Sequence, residues 1–266
     1  MIHSTAIIDP GAVIGEGCEI GPYTTIGKQV KIGRNTKIGA HTVIEGNTEI
    51  GKNNSISHLV IIGTPPQDTG YKGEDTRVVI GDNNTIREYA TVHRATTKQD
   101  RVTIIGSNNY LMSYIHIAHD CVVGSNVIMI NGATLGGHST VGDYATISAF
   151  STVHQFVRIG AYSMISANAG MPRDIPPYML AAGPRAALFG LNLVGLRRHG
   201  FKREAITGLR KAYRIIWRES TTLSEGIKRV KEEIPLFPEL EYLLDFITTS
   251  SKRGITRGAA EKNEKG

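Results

Sequence analysis

Residues 12–44 read AVIGEGCEIGPYTTIGKQVKIGRNTKIGAHTVI, and Ile14, Ile20, Ile26, Ile32, Ile38 and Ile44 recur in it at every sixth position. The lattice runs back through Ile8 to Ile2 and forward through Ile50 and Ile56 to Ile62 without a miss. Gly follows seven of these eleven isoleucines, and a small residue often stands two places before them, as at Ala12, Cys18, Thr24, Thr36 and Thr42. The pattern returns at Ile80, Ile86 and Val92, then runs in a new phase from Ile105 to Ile165. A period of six fits neither the 3.6 of a helix nor the 2 of an alternating strand. It fits a short strand followed by a bend, with every aliphatic side chain pointing into a shared interior. Three hexapeptides close a triangular coil of 18 residues, and stacked coils make a parallel β-helix. The 25 lattice positions give about eight coils, each rising ~4.8 Å. Cys18 and Cys121 occupy the small inward position and read as buried packing residues. The period leaves the hand open; general crossover chirality favours a right-handed coil.

The rest of the chain is read against this frame. Residues 64–79 and 94–101 leave the lattice and read as loops ejected from the coil, either ligand-contacting or tolerated surface insertions. After Ile165 the repeat fades, so residues 1–185 are expected to form the β-helix and 186–266 a helical C-terminal domain. Residues 201–218 carry Ile206, Leu209, Tyr213, Ile216 and Trp217 at helical spacing. Thr222 and Glu225 form a capping box, and Pro238 opens a last helix bearing Leu240, Leu243, Leu244 and Ile247. The tail from about residue 255 is small, polar and charged, and reads as disordered.

Charge is unevenly divided. Residues 1–185 hold 14 Lys+Arg against 14 Asp+Glu, whereas 186–266 hold 16 against 10, so the whole net +6 lies in the last third. Eight basic residues and one acid lie between Arg197 and Arg218, which suits an anionic partner or a solvated helix face. No aromatic platform is interleaved with them, which argues against nucleic acid. No apolar run approaches the roughly 18–20 residues of a membrane span. The N-terminus has Asp9 and Glu16 where a signal peptide would be apolar. The expectation is a cytoplasmic protein without a transmembrane segment.

Chemistry concentrates in Tyr114-Ile115-His116-Ile117-Ala118-His119-Asp120-Cys121. With Ile117 inward, His119 falls on an exposed corner, and steps of 18 residues lead to Gly137 and Gln155 on the same edge. An imidazole, an unobstructed backbone N–H and a carboxamide are the parts for acyl transfer: base, oxyanion donor and positioning group. Asp120 is placed to hold the imidazole tautomer. No Ser or Cys in the column looks like a covalent nucleophile. Metal ligation by His116, His119, His138 and His154, as in hexapeptide-repeat zinc enzymes of carbonic anhydrase type, and simple corner packing are the other readings of these histidines. A non-catalytic solenoid scaffold would explain the repeat but not this column.

The repeat resembles the left-handed β-helix of the hexapeptide-repeat acyltransferases, which are trimers with active sites between subunits and an exception to the crossover rule. From about residue 2 to residue 258 the chain is similar to the acyl-carrier-protein–UDP-N-acetylglucosamine O-acyltransferases of lipid A biosynthesis. The resemblance rests on His116-Ile117-Ala118-His119-Asp120-Cys121, Ala133-Thr134-Leu135-Gly136-Gly137-His138 and Val153-His154-Gln155-Phe156, with Pro176-Pro177-Tyr178 and Gly195-Leu196-Arg197-Arg198-His199-Gly200-Phe201. It implies a homotrimer that needs no cofactor or metal and moves a (3R)-hydroxyacyl chain from acyl carrier protein to UDP-N-acetylglucosamine. His119 would be the base and Gly137 the oxyanion donor. His116, His138, His154 and Gln155 would contact substrate, Asp68 would hold sugar hydroxyls, and Asn192 and Arg198 the nucleotide and diphosphate. Lys202, Arg203, Arg210, Lys211 and Arg214 would meet the acidic carrier protein, and Ala167 would limit the acyl groove. Gly70 stands where many members have Lys, and Val194 where they often have Glu. Both departures remove charge near the expected sugar pocket and raise a 3-amino analogue as an alternative acceptor.

Overall fold

In the computed structural model, which describes residues 1–260, the lattice becomes three sheets of nine, eight and ten strands. Face I begins at Ile7–Ile8, face II at Val13–Ile14 and face III at Glu19–Ile20. Each strand pairs in parallel with the strand one coil on: Ile8 with Ile26, Ile14 with Ile32, Ile20 with Ile38. The result is a left-handed parallel β-helix, opposite in hand to the general rule for parallel crossovers. Its interior is the predicted column, with Ile26, Ile44, Ile62, Ile117, Leu135 and Ile147 fully buried.

The small inward position does more than pack. Cys18 Sγ donates to the Gly33 carbonyl at 3.2 Å, Thr24 Oγ1 to Gly39 at 2.7 Å and Cys121 Sγ to Gly136 at 3.3 Å, tying each coil to the next. The Gly after the lattice residue is required by proximity: a Cβ on Gly33 would lie 2.6 Å from the Gly51 carbonyl carbon.

Corners are turned by residues with φ near +60° that are mostly not Gly. Asn35, Asn53, Asn83, Asn108 and Asn126 turn the edge from face II to face III, and Asp120, His138 and Phe156 the edge from face I to face II. Left-handed backbone costs a non-Gly residue ~1–2 kcal/mol. Hydrogen bonds to the previous coil offset that cost, as in Asn53 N–H to Arg34 O at 2.9 Å and His138 N–H to His119 O at 3.0 Å.

Both ejected loops leave from the I-to-II edge. One joins strand Ile61–Thr64 to strand Arg77–Ile80, the other strand Thr91–His93 to strand Val102–Ile105. Face III is closed by strand Met179–Ala182 and the antiparallel strand Ala187–Leu191.

Among the described residues four α-helices follow: α1 (Leu193–Arg198), α2 (Arg203–Arg214), α3 (Leu223–Glu233) and α4 (Pro238–Thr248). The helix expected over 201–218 stops being α-helical at Ile215, and Ile215–Glu219 forms a π-helical turn. Thr222 accepts from Glu225 N–H at 3.2 Å, but the Glu225 carboxylate reaches Thr221, one residue beyond a standard box. Pro238 lies in the first turn of α4, whose Leu240, Leu243, Leu244 and Ile247 are buried. The start of the expected disordered tail is instead paired: Ile255 bridges to Asp174 and Gly258 to Leu188. Trp217 Nε1 adds a hydrogen bond to Thr256 O at 3.2 Å, so packing fixes a stretch whose composition is loop-like. The remainder of that tail lies outside the described residues. Among the described residues no helix is long and apolar enough to cross a membrane.

Candidate active site

Counting by 18 places His119, Gly137 and Gln155 on one edge, and the backbone keeps them in step. His138 N–H bonds to His119 O and Phe156 N–H to Gly137 O, both at 3.0 Å. The imidazole of His119 lies directly over Gly137. A Cβ there would come within 2.5 Å of Cε1 and 2.7 Å of Nε2, so the bare glycine makes the space the ring occupies. At the same turn position on the II-to-III edge, a side chain from the next coil accepts the N–H, as Asp82 does for Lys52 at 2.8 Å. Among the described residues nothing accepts the N–H of Gly137.

Asp120 anchors the ring. Its carboxylate is buried and Oδ2 lies 2.8 Å from His119 Nδ1. The same oxygen accepts from Thr96 N–H at 3.0 Å and Thr96 Oγ1 at 2.7 Å. Burial pushes the carboxyl up, but the bonds from His119 and Thr96 together outweigh it and hold the group below its ordinary value. An ionised, fixed Asp120 favours the proton on Nδ1 of His119, leaving Nε2 as a base. The ring is less open than expected of a corner, with its side chain 12% exposed.

His138 is the second imidazole. Its Nδ1 lies 2.6 Å from Gln99 Oε1, its ring stacks on Phe156 with centroids 4.5 Å apart, and it meets His119 edge-on at 5.1 Å. Burial lowers its pKa, with Asp120 opposing. His116 sits on face I, its Nδ1 2.7 Å from Thr91 Oγ1, packed edge-on against His93 at 4.9 Å. Burial, and then His119, lowers the pKa of His116; burial takes His93 down to about 4. The alternative reading, in which His116, His119, His138 and His154 share a metal, finds no such cluster among the described residues. Among the described residues the one cluster is His119, Asp120 and His138. There His119 Nδ1 and Asp120 Oδ2 lie 2.8 Å apart and are hydrogen-bonded to each other.

Sequence reasoning missed Thr96 and Gln99, which bring the second ejected loop onto the pair. A signal existed: Ile62, Val92, Ile117, Leu135 and Val153 belong to the same third of the lattice. Both excursions therefore leave the edge that carries His119. Asp68, in the first loop, accepts from Gly70 N–H at 2.8 Å and pairs with Lys98 of the second. The bond from Lys98, then that from Gly70, holds its carboxyl below the usual range. Lys98 Nζ thus lies 4.0 Å from where a Cβ on Gly70 would stand. His154 and Gln155 are exposed on the edge, and the Gln155 carbonyl accepts from Arg253 Nε at 2.8 Å. Lys252 Nζ caps the far face of Phe156, 4.0 Å from its centroid.

Other predicted residues lie elsewhere. Asn192 caps α1, accepting from Gly195 N–H at 3.1 Å and donating to Tyr162 O at 2.9 Å. Arg198 is exposed in the last turn of α1, and the adjacent His199 packs edge-on against Tyr144 and Tyr162 of the II-to-III edge. Within one chain, Arg198 and His119 therefore stand on different edges. Ala167 is exposed on the third edge, between face III and face I. Lys202 helps line a cavity of about 800 Å³ with Tyr162, Tyr178, His199 and Phe201. Arg210, Lys211 and Arg214 border a groove floored by Leu191, Leu193 and Tyr213, beside the exposed Phe189. Lys211 and Arg214 already pair with Glu233 and Glu219, so the cluster is less free than its sequence suggests. Arg203 is exposed at the start of α2.

A left-handed hexapeptide coil with an imidazole–carboxylate pair lodged over a bare glycine on one edge places the molecule among the hexapeptide-repeat acyltransferases. Residues 174–256 match the profile of Udp N-acetylglucosamine O-acyltransferase, Domain 2, and residues 2–67 that of the GMPPB C-terminal domain. An acyl-[acyl-carrier-protein]–UDP-N-acetylglucosamine O-acyltransferase of Thermodesulfovibrio yellowstonii is 54% identical over 77% of this chain and 80% of its own. One from Burkholderia mallei is 51% identical over 96% and 99%. LpxA from Acinetobacter baumannii superposes with a TM-score of 0.93 at 45% identity, covering 96% of this chain and 99% of that one. The UDP-N-acetylglucosamine acyltransferase of Bacteroides fragilis gives 0.94 at 43%, covering 97% and 100%. The chain belongs to the acyl-[acyl-carrier-protein]–UDP-N-acetylglucosamine O-acyltransferase family.

Proposed function

We propose that this protein transfers a (3R)-hydroxyacyl chain from acyl carrier protein to the glucosamine 3-hydroxyl of UDP-N-acetylglucosamine, in the cytoplasm. His119 Nε2 takes the proton of the attacking hydroxyl as its oxygen adds to the thioester carbonyl. The tetrahedral oxyanion is met by the open N–H of Gly137. The C–S bond then breaks, and the imidazolium returns its proton to the departing carrier thiolate. The observation that carries this reading is the His119 ring, bonded to a buried Asp120 and lodged over Gly137. Cys121 lies fully buried next in sequence, its thiol pushed up to about 12 by burial. That supports direct attack by the sugar rather than an acyl-enzyme.

The placement of Arg198 and His119 on different edges supports a trimer. A three-fold assembly would set one chain's II-to-III edge beside its neighbour's I-to-II edge, joining nucleotide contacts to the base. Asn192 acts there by holding α1, and His116, His138, His154, Gln155 and Asp68 supply the remaining acceptor contacts. The groove bordered by Arg210, Lys211 and Arg214, with Lys202 and Arg203 nearby, suits an acidic carrier protein. Ala167 limits the acyl groove between neighbours.

Incubating the protein with (3R)-hydroxyacyl carrier proteins and UDP-N-acetylglucosamine, beside its 3-amino analogue, tests the reading. The expected product by mass is the O-acylated sugar nucleotide, formed faster than the amide. Product from the amino sugar alone would change the acceptor, and no product from either would overturn the proposal.

A further inference from the structure

The second ejected loop reaches three residues of the proposed site, Asp120, His138 and Asp68. Thr96 bonds to Asp120 and Gln99 to His138. Between them, Lys98 crosses to the first loop and pairs with Asp68. A Cβ built on Gly70 would lie 4.0 Å from Lys98 Nζ and 3.2 Å from Asp68 Oδ1. The ammonium thus occupies the space into which a side chain at position 70 would grow. It reaches there from twenty-eight residues further along the chain.

We propose that Lys98 is a binding residue for the sugar-nucleotide acceptor, delivering to Asp68 the cation that position 70 lacks. This rests on the acyltransfer reading above. An ammonium has three N–H donors. One is taken by Asp68, and the side chain remains 59% exposed, which leaves donors for the oxygens of an anionic, hydroxyl-rich ligand. Asp68, ionised and held by Lys98 and the Gly70 N–H, supplies the matching acceptor for sugar hydroxyls. The pair acts on how the acceptor is held and not on proton transfer, so its effect belongs to KM for the sugar nucleotide.

The test compares wild type, Lys98→Ala and the double variant Lys98→Ala with Gly70→Lys, using carrier-bound donor and UDP-N-acetylglucosamine. The proposal expects Lys98→Ala to raise KM for the sugar nucleotide about tenfold, with kcat and KM for the donor within about twofold, since a charge-assisted hydrogen bond to the acceptor is lost. It expects the double variant to recover most of that loss, because shortening Lys98 clears the space beyond Gly70 and the Asp68 carboxylate needs to yield only a few tenths of an ångström to the new Cβ. Unchanged KM in Lys98→Ala would overturn it. So would a raised KM that Gly70→Lys fails to rescue, which would assign Lys98 to loop folding alone. An inactive wild type would instead sink the acyltransfer reading.

Discussion

A single methyl group separates two outcomes at Gly137. Alanine there needs no unusual backbone, but its Cβ would meet the His119 ring at 2.5 Å, well inside contact distance. The ring can yield only by leaving its place beside Asp120 and above the open N–H. Gly137→Ala is therefore expected to keep its Tm within a few degrees while kcat falls about 10²-fold, the usual penalty for misplacing a catalytic group by about an ångström. Activity within threefold of wild type, measured as acyl-sugar formation, would show that the ring's seat over Gly137 does not matter. Asp120 is held in a complementary way, by a polar cage that keeps it ionised in a buried setting. Its other oxygen, Oδ1, is buried without a partner among the described residues.

At the level of elements, strand Thr91–His93 and strand His116–Ile117 lie side by side on face I and bring His93 against His116. Among the described residues neither ring has a carboxylate partner, and burial keeps His93 neutral down to about pH 4. The unfolded chain binds these protons near pH 6.5. Between about pH 6.5 and 4 it therefore takes up more protons than the folded protein, and stability falls as pH falls. Thermal melts should show Tm dropping from pH 7.5 to pH 5, with a shallower drop in His93→Asn. A slope identical in the two proteins would remove His93 from this account.

The same elements show what the sequence could and could not reveal. His119, Gly137 and Gln155 were legible because no insertion interrupts the count of 18 between them. His93 escaped notice because the second loop breaks the count between Val92 and Ile105, hiding its place beside His116. Thr96, Lys98 and Gln99 carry no period at all; their partners are set by how a loop folds back over an edge. The π-helical turn at Ile215–Glu219 was equally silent, since its apolar spacing is that of an ordinary helix over one turn.

On the scale of the whole molecule, the β-helix is a rigid ruler whose three edges carry different cargo. The I-to-II edge bears the imidazoles and both loops, the II-to-III edge receives the helices carrying the basic residues, and the III-to-I edge bears exposed Tyr23, Tyr89, Tyr114 and Phe150. The helical part is tied back to the I-to-II edge by Arg253 on Gln155 and Lys252 on Phe156. Arg158, bonded to the buried Asp174 at 2.6 Å, adds a tie to the end of α4. The His119 edge, the loops and the basic groove are thus fixed in one frame, and the proposed reaction rests on the imidazole at its centre. The most direct test is the rate of acyl-sugar formation by His119→Ala at saturating donor and acceptor, with Tm measured in parallel. Loss of about 10²- to 10⁴-fold in rate with an unchanged Tm is the predicted result; a folded variant that keeps more than a tenth of the wild-type rate would contradict it.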